Sequence, residues 1–112
     1  MFREKQVKLG IIINTNDPET AWNALRLGNT ALGAGHVVSV FLMGAGVEVE
    51  AIKSEKFNVG EVLNKFLDSK GDLLACGTCL KVRQQEAGVC PVSTMPQLVQ
   101  LIADSDKVVT FG

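Results

Sequence analysis

The sequence predicts an α/β domain with a single, mostly parallel sheet of about five strands and helices on both faces. The first observation is that predicted strands and helices alternate along the whole chain, which is the order of right-handed βαβ units. The second is that residues 7–14 and 37–43 are almost continuously apolar, as in strands buried on both faces. A chain of 112 residues suffices for one compact domain, so residues 1–112 are taken as a single unit.

The first predicted strand, VKLGIIIN at 7–14, is rich in β-branched residues and ends at a polar break. Asp17 then supplies an N-cap, and Pro18 occupies the first helical position, where its missing N–H costs nothing. This helix is predicted to run to about Ala34, where glycines end it. One of its faces is expected to carry Trp22, Leu25, Asn29 and Leu32.

The second predicted strand, 37–43, leads into the turn Gly44-Ala45-Gly46. For residues 47–52 we predict a short helix, although their alternation also allows a strand. Asn58 then caps a further helix, because an acidic residue follows it three positions later. The apolar residues of that helix form the clearest amphipathic stripe of the chain: Val59, Val62, Leu63, Phe66 and Leu67.

The last part of the chain is predicted to contain a strand at 73–76, a helix at 77–85, a short strand at 89–92, a helix at 94–104 and a strand at 107–111. Thr94 and Gln97 have the spacing of a capping box at the start of the longer helix. Its inward residues are predicted to be Leu98, Leu101 and Ile102.

The composition excludes several classes of protein. A hydrophobic fraction of 46% rules out a disordered chain. A net charge of −1 indicates no excess of basic residues for binding nucleic acid. The amino terminus has mixed charge and no apolar core, and no apolar run approaches the length of a membrane span. A mean hydropathy of +0.21 is high for so small a domain. It therefore predicts either a sheet covered on both faces or a surface partly covered by another subunit.

Cysteine usage indicates the compartment and the candidate site. Three cysteines are too few and odd in number for a secreted disulfide framework, so we expect the reducing cytoplasm. Cys76 and Cys79 form a CxxC motif on a predicted strand-to-helix turn, where unpaired N–H groups and the helix dipole favour a thiolate. Lys81 and Arg83 follow and add positive potential. We therefore favour chemistry or metal binding over simple space filling for this pair.

Three alternatives for these residues are weighed. A thioredoxin-like site is disfavoured, because too few residues follow Cys79 for the rest of that fold. A zinc site would use Cys76, Cys79, Cys90 and His36, but the chain lacks a second CxxC or HxxH pair, and His36 precedes a strand at the opposite edge. Gly44-Ala45-Gly46 lacks the remaining spacing of a dinucleotide fingerprint and predicts a tight turn. Neither a metal nor an organic cofactor is therefore expected.

The segment LACGTCLKVR at 74–83, followed by an apolar helix and by DSDKVVTF at 104–111, resembles the DsrE/DsrF-like family. The first strand, the Asp17-Pro18 helix start, the strand and turn at 38–46 and the helix at 57–67 follow the same order. The resemblance covers nearly the whole chain. One departure is that Arg83 is followed by Gln84, where many members have glycine.

The resemblance implies a flavodoxin-like doubly wound sheet and assembly as a homotrimer or homohexamer. It also implies a sulfur relay, in which a cysteine of this loop takes persulfide sulfur from a donor protein and passes it to an acceptor protein. By position Cys76 is the acceptor, Cys79 an auxiliary or resolving thiol, and Cys90 a third candidate. Gly77, Thr78, Lys81 and Arg83 would support the site.

The expected function is thus that of an intracellular persulfide carrier, a sulfurtransferase of the relay type rather than a turnover enzyme. Two rivals stay open. The CxxC could be structural, in a metal-binding or regulatory module, or the two thiols could form a dithiol/disulfide redox sensor.

Overall fold

The computed structural model describes residues 5–88 and 90–112, and its centre is one five-stranded sheet. All strand pairs are parallel, and the order across the sheet is β4-β3-β2-β1-β5. The strands are β1 (Lys8–Ile13), β2 (Val37–Leu42), β3 (Asp72–Cys76), β4 (Val92–Ser93) and β5 (Lys107–Phe111). The predicted α/β class with a parallel sheet is therefore confirmed, and in this flavodoxin-like architecture the last strand lies outside β1.

Within the described residues, four α-helices and one 3₁₀ helix connect the strands. The α-helices are α1 (Pro18–Gly33), α2 (Val59–Asp68), α3 (Gly77–Val82) and α4 (Met95–Asp104), and the 3₁₀ helix is Gly44–Ala51. The predicted caps are present: Asp17 accepts from the Thr20 N–H, Asn58 accepts from the Glu61 N–H, and Thr94 forms a full capping box with Gln97. Local sequence thus sets the start of each longer helix.

The helices lie on both faces of the sheet. This is seen at β1, where Gly10 faces α4 and its neighbour Ile11 faces α1. A Cβ on Gly10 would lie 2.9 Å from Leu101 of α4, whereas a Cβ on Gly28 of α1 would lie 3.6 Å from Ile11. Adjacent strand residues point to opposite faces. Hence α1 and α2, which pack together, cover one face, and α4 covers the other.

The inward face of α1 is built largely from small residues, and of the four residues expected to share one face only Leu25 is fully buried. Its buried residues are mostly small, namely Ala21, Ala24, Leu25 and Gly28, while Trp22, Asn29 and Leu32 are only half-buried. A Cβ on Gly28 would lie 3.0 Å from the ring of Phe66 in α2. Small residues thus let this aromatic ring and the sheet approach the helix axis.

Three further predictions need correction. Ile102 was expected to point inward but is 44% exposed, and only Leu98 and Leu101 of α4 are buried. Helix α3 ends at Val82 rather than at residue 85, because Gln84 adopts a positive φ of 52°. The helical prediction for 47–52 holds, but that helix is of the 3₁₀ type and starts earlier, at Gly44. Of the predicted strand 89–92, Val89 lies outside the described residues.

The core is aliphatic, as the scarcity of aromatic residues requires. Two of its largest fully buried side chains are Phe41 in β2 and Phe66 in α2, and the rest are mainly Ile, Leu and Val. Among residues 5–88 and 90–112, no helix combines the length and apolar character needed to cross a membrane.

Candidate functional site

The site is built where the parallel strands end. β1, β2 and β3 run in one direction, so the loops after them meet at the carboxyl edge of the sheet. The amide of Met43 donates to the carbonyl of Ile13 over 3.0 Å, and a Cβ on Gly46 would overlap that carbonyl oxygen. The predicted tight turn at Gly44-Ala45-Gly46 is therefore needed for this close approach of two backbones.

The CxxC motif occupies the third of these loops. Cys76 is the last residue of β3 and the N-cap of α3, with φ −63° and ψ 116°. Its side chain is buried, that of Cys79 is half-buried, and Thr78 between them is exposed. A Cβ on Gly77 would lie 2.9 Å from Val92 of β4, so glycine allows the edge strand to pack beside the motif.

Two opposing influences set the protonation of Cys76. Burial raises the pKa of its thiol above the ordinary 9.0, and a side-chain hydrogen bond with Cys79 raises it further. Backbone hydrogen bonds with Cys79 and Thr78 act in the opposite direction but are the weaker influence. The N–H groups at the helix amino end thus favour the thiolate as expected, but burial of the thiol outweighs them.

Of the two predicted basic groups, Arg83 has a defined partner. Its Nη1 lies 3.3 Å from Oε1 of Glu48 in the 3₁₀ helix, and Asn16 Nδ2 donates to the same oxygen over 2.9 Å. Glu48 thus joins the loop after β1 to the end of α3. Lys81 is exposed on α3. Sequence reasoning missed Glu48 and Asn16, because nothing local indicates a partner more than 30 residues away.

Cys90 and His36 lie elsewhere in the fold. Cys90 is buried in the segment before β4, and burial, with the nearby Glu50 carboxylate, raises the pKa of its thiol to about 11. His36 lies before β2 at the amino edge, where its Nδ1 accepts the Val7 N–H over 2.9 Å. His36 therefore accepts a backbone hydrogen bond at the edge of the sheet opposite the CxxC motif. In the described part of the chain, no cluster of three metal-ligating side chains occurs.

One residue beside the motif was not identified from the sequence. Ser93 of β4 pairs in register with Cys76, is buried, and donates its hydroxyl to Gln97 Oε1 over 2.5 Å. The capping-box pattern at Thr94 and Gln97 predicted the helix start but not that the serine before it would lie beside the cysteine.

A doubly wound parallel sheet with a CxxC motif at the carboxyl end of an inner strand defines the class of protein: a small α/β thiol protein. Comparison with known sequences gives the particular family. Residues 7–111 match the DsrE/DsrF-like family, and the chain belongs to it.

The chain is similar to two archaeal proteins. An uncharacterized protein of Methanocaldococcus jannaschii is 36% identical over 100 residues, which cover 83% of this chain and 88% of the relative. An uncharacterized protein of Methanopyrus kandleri is 33% identical over 100 residues, covering 83% of each chain. The family membership supports a sulfur-relay role at the level of the family.

Proposed function

We propose that this protein carries sulfur as a persulfide, with Cys76 as the acceptor and Cys79 as its auxiliary thiol. The observation that carries the proposal is the placement of a buried Cys76 at the end of β3 and a half-buried Cys79 in the first turn of α3, both at the carboxyl edge of the sheet. Membership in the DsrE/DsrF-like family supports it, because the family suggests a sulfur relay. The supporting residues proposed around the pair are Gly77, Thr78, Lys81 and Arg83, with Cys90 as a third thiol.

The transfer step is a thiol exchange. The Cys76 thiolate attacks the terminal sulfur of a donor persulfide, an S–S bond forms on Cys76, and the donor sulfur leaves as a thiolate. An acceptor thiolate then attacks the terminal sulfur carried by Cys76, the Cys76 S–S bond breaks, and Cys76 leaves as a thiolate. Alternatively, the Cys79 thiolate attacks the inner sulfur, which forms a Cys76–Cys79 disulfide and releases hydrosulfide.

Burial of Cys76 constrains how this step proceeds. A buried thiol with a raised pKa is protected from solvent and reacts slowly, so the donor must displace the first turn of α3 to reach it. Cys79 is the more accessible thiol of the pair. In this proposal it faces the incoming donor, and the proton that Cys76 loses is taken up by the thiolate that leaves the donor.

Mass mapping after incubation with a persulfide donor tests the proposal. We expect a gain of about 32 Da, one sulfur atom, on Cys76 in the wild type and in Cys90→Ser, and its loss in Cys76→Ser. The Cys90→Ser variant is the matched control, since it also removes one buried thiol. If several donors leave both Cys76 and Cys79 unmodified, the proposal is wrong. Stoichiometric zinc in protein purified without chelators would instead support a structural CxxC.

A second candidate, a dithiol/disulfide sensor, is favoured by the same placement of two free thiols three residues apart at a strand-to-helix turn. It predicts a reversible Cys76–Cys79 disulfide with a defined midpoint potential, measured by redox titration and by mass loss on oxidation. A persulfide that survives on the Cys79→Ser variant would separate the two candidates, because a carrier needs only one of the thiols.

We further propose that the protein works in the reducing cytoplasm as a homotrimer or homohexamer with separate donor and acceptor proteins. The outward face of α4 supports assembly: Met95, Val99 and Ile102 are 46%, 65% and 44% exposed and lie at i, i+4 and i+7. Such an apolar stripe on an exposed helix face is typical of a protein interface.

A further inference from the structure

A polar groove between α1 and α2 lies outside the cysteine site and is unused by the proposed function. Its volume is about 430 Å³, within the range of about 300–1,000 Å³ that small-molecule sites occupy. Three basic side chains line it, Arg26, Lys56 and Lys65, against one acidic side chain, Glu61. The whole chain carries a net charge of −1, so this local excess of positive charge is not a consequence of a basic composition.

The basic groups are held in place rather than merely exposed. The guanidinium carbon of Arg26 lies 4.3 Å from the centroid of the Trp22 ring, and Arg26 Nη1 donates to Asn23 Oδ1 over 3.1 Å. The Trp22 ring packs against Phe57 at 5.2 Å between centroids, and Lys56 Nζ lies 5.8 Å from the Phe57 ring. An aromatic pair thus orients two of the three cations at the groove.

The acidic side chain does not neutralise them. Glu61 accepts a hydrogen bond from Asn58 Nδ2 over 3.2 Å, and among the described residues no ion pair joins it to Arg26, Lys56 or Lys65. In the groove wall, Asn29 Nδ2 donates to the Val62 carbonyl over 3.1 Å, while its buried Oδ1 has no donor within the described part of the chain. Three cations without a carboxylate partner favour an anion, and an unmet acceptor favours a ligand that brings a hydrogen-bond donor.

We propose that this groove binds a small organic phosphate, with Arg26, Lys56 and Lys65 holding the phosphate groups. A protein partner is disfavoured, because none of the large apolar side chains exposed on the described surface lines the groove, and interface centres are apolar. The site is separate from Cys76 and independent of persulfide transfer.

Trp22 is the only tryptophan and lies in the groove, so its fluorescence reports occupancy. The full chain is titrated with ADP and with inorganic pyrophosphate at ionic strength matched by potassium chloride, and the same titrations are followed by calorimetry. We expect saturable binding of ADP. If pyrophosphate binds as tightly as ADP, the groove recognises the phosphates alone. If pyrophosphate binds more weakly than ADP, the nucleoside also contributes to binding. Both results support the proposal.

Charge variants give the control. Lys56→Gln and Lys65→Gln are each expected to weaken binding by about fivefold or more, whereas Lys107→Gln on β5 removes the same charge at a distance and leaves it unchanged. Cys76→Ser is expected to bind normally, so failure of the persulfide proposal would not affect this one. The proposal would be overturned if neither ligand gave heat or a change of Trp22 emission. It would also be overturned if Lys107→Gln lost as much affinity as the groove variants, or if the groove bound an acidic peptide but neither ligand.

Discussion

At the scale of single residues, the site depends on the contrast between two thiols three positions apart. Cys76 closes a buried strand and is desolvated, whereas Cys79 lies one turn into α3 and is half-buried. The sequence predicts their proximity, since a CxxC at a strand-to-helix turn places both thiols at one helix end. The sequence does not reveal that burial raises the pKa of the Cys76 thiol by more than the backbone N–H groups lower it. The burial of a residue depends on the strands and helices that pack around it.

The same contrast predicts an order of alkylation at neutral pH. We expect iodoacetamide to modify Cys79 before Cys76 and Cys90, because the latter two thiols are buried and their pKa values are raised. Time-resolved peptide mass mapping of the folded wild type measures this order, and urea-unfolded protein, in which the three rates should converge, is the control. Equal rates for Cys76 and Cys79 in the folded protein would contradict the burial argument.

The ion pair between Glu48 and Arg83 predicts a modest coupling. Both side chains are about one third exposed, so we expect a double-mutant cycle with alanine to give a coupling energy of about 0.2–1 kcal/mol in urea unfolding. The Glu48→Ala variant is expected to alkylate Cys79 faster, since Glu48 joins the end of α3 to the loop after β1. Unchanged alkylation in this variant would show that the ion pair does not hold α3 in place.

At Gly46, the absence of a side chain is expected to be essential to stability. A Cβ there would overlap the carbonyl oxygen of Ile13, which belongs to a central strand and cannot withdraw. We expect Gly46→Ala to lower the free energy of unfolding by at least about 2 kcal/mol. The matched control is Gly33→Ala, because no heavy atom lies within 4 Å of the added Cβ and alanine suits a helix. Equal effects of the two variants would contradict this prediction.

At the scale of elements, α4 carries apolar residues on both sides. Leu98 and Leu101 pack on the sheet, while Met95, Val99 and Ile102 form the outward stripe. The capping box and the helix bounds follow from local sequence. The prediction of an inward Ile102 failed because the apolar residues of α4 extend beyond the side that the sheet covers. Only the position of the sheet decides which side is covered.

The stripe predicts a change of assembly on mutation. If it contacts a second copy, Val99→Gln combined with Ile102→Gln is expected to shift the protein to monomers in sedimentation velocity. Leu27→Gln is the control, because Leu27 is 39% exposed on α1 and lies on the other side of the sheet. A double variant with the mass of the wild type would exclude α4 as the interface.

At the scale of the whole molecule, stability is expected to fall at alkaline pH. The Cys90 thiol has a pKa of about 11 in the folded state against 9.0 ordinarily, so the folded protein holds this proton more tightly than the unfolded chain. Its stabilising contribution is complete below pH 9.0 and is lost as the pH rises towards 11. Cys76, with a raised pKa, acts in the same direction.

Melting temperatures between neutral pH and alkaline pH test this linkage. We expect the slope of stability against pH above pH 9.0 to be shallower in Cys90→Ala than in the wild type, because the variant lacks the titrating thiol. The cavity left by the substitution lowers stability at every pH and so does not change the slope. Parallel curves for the two proteins would show that Cys90 is not linked to folding.

The sequence by itself determined the alternation of strands and helices, the caps at Asp17, Asn58 and Thr94, and the place of the CxxC motif, because these depend on neighbouring residues. Only the tertiary structure decided the order of the strands, the small-residue face of α1 that receives Phe66, the pairing of Glu48 with Arg83 and the burial of Cys76. These features join residues distant in the chain, and their energies arise from packing and desolvation that no local pattern encodes.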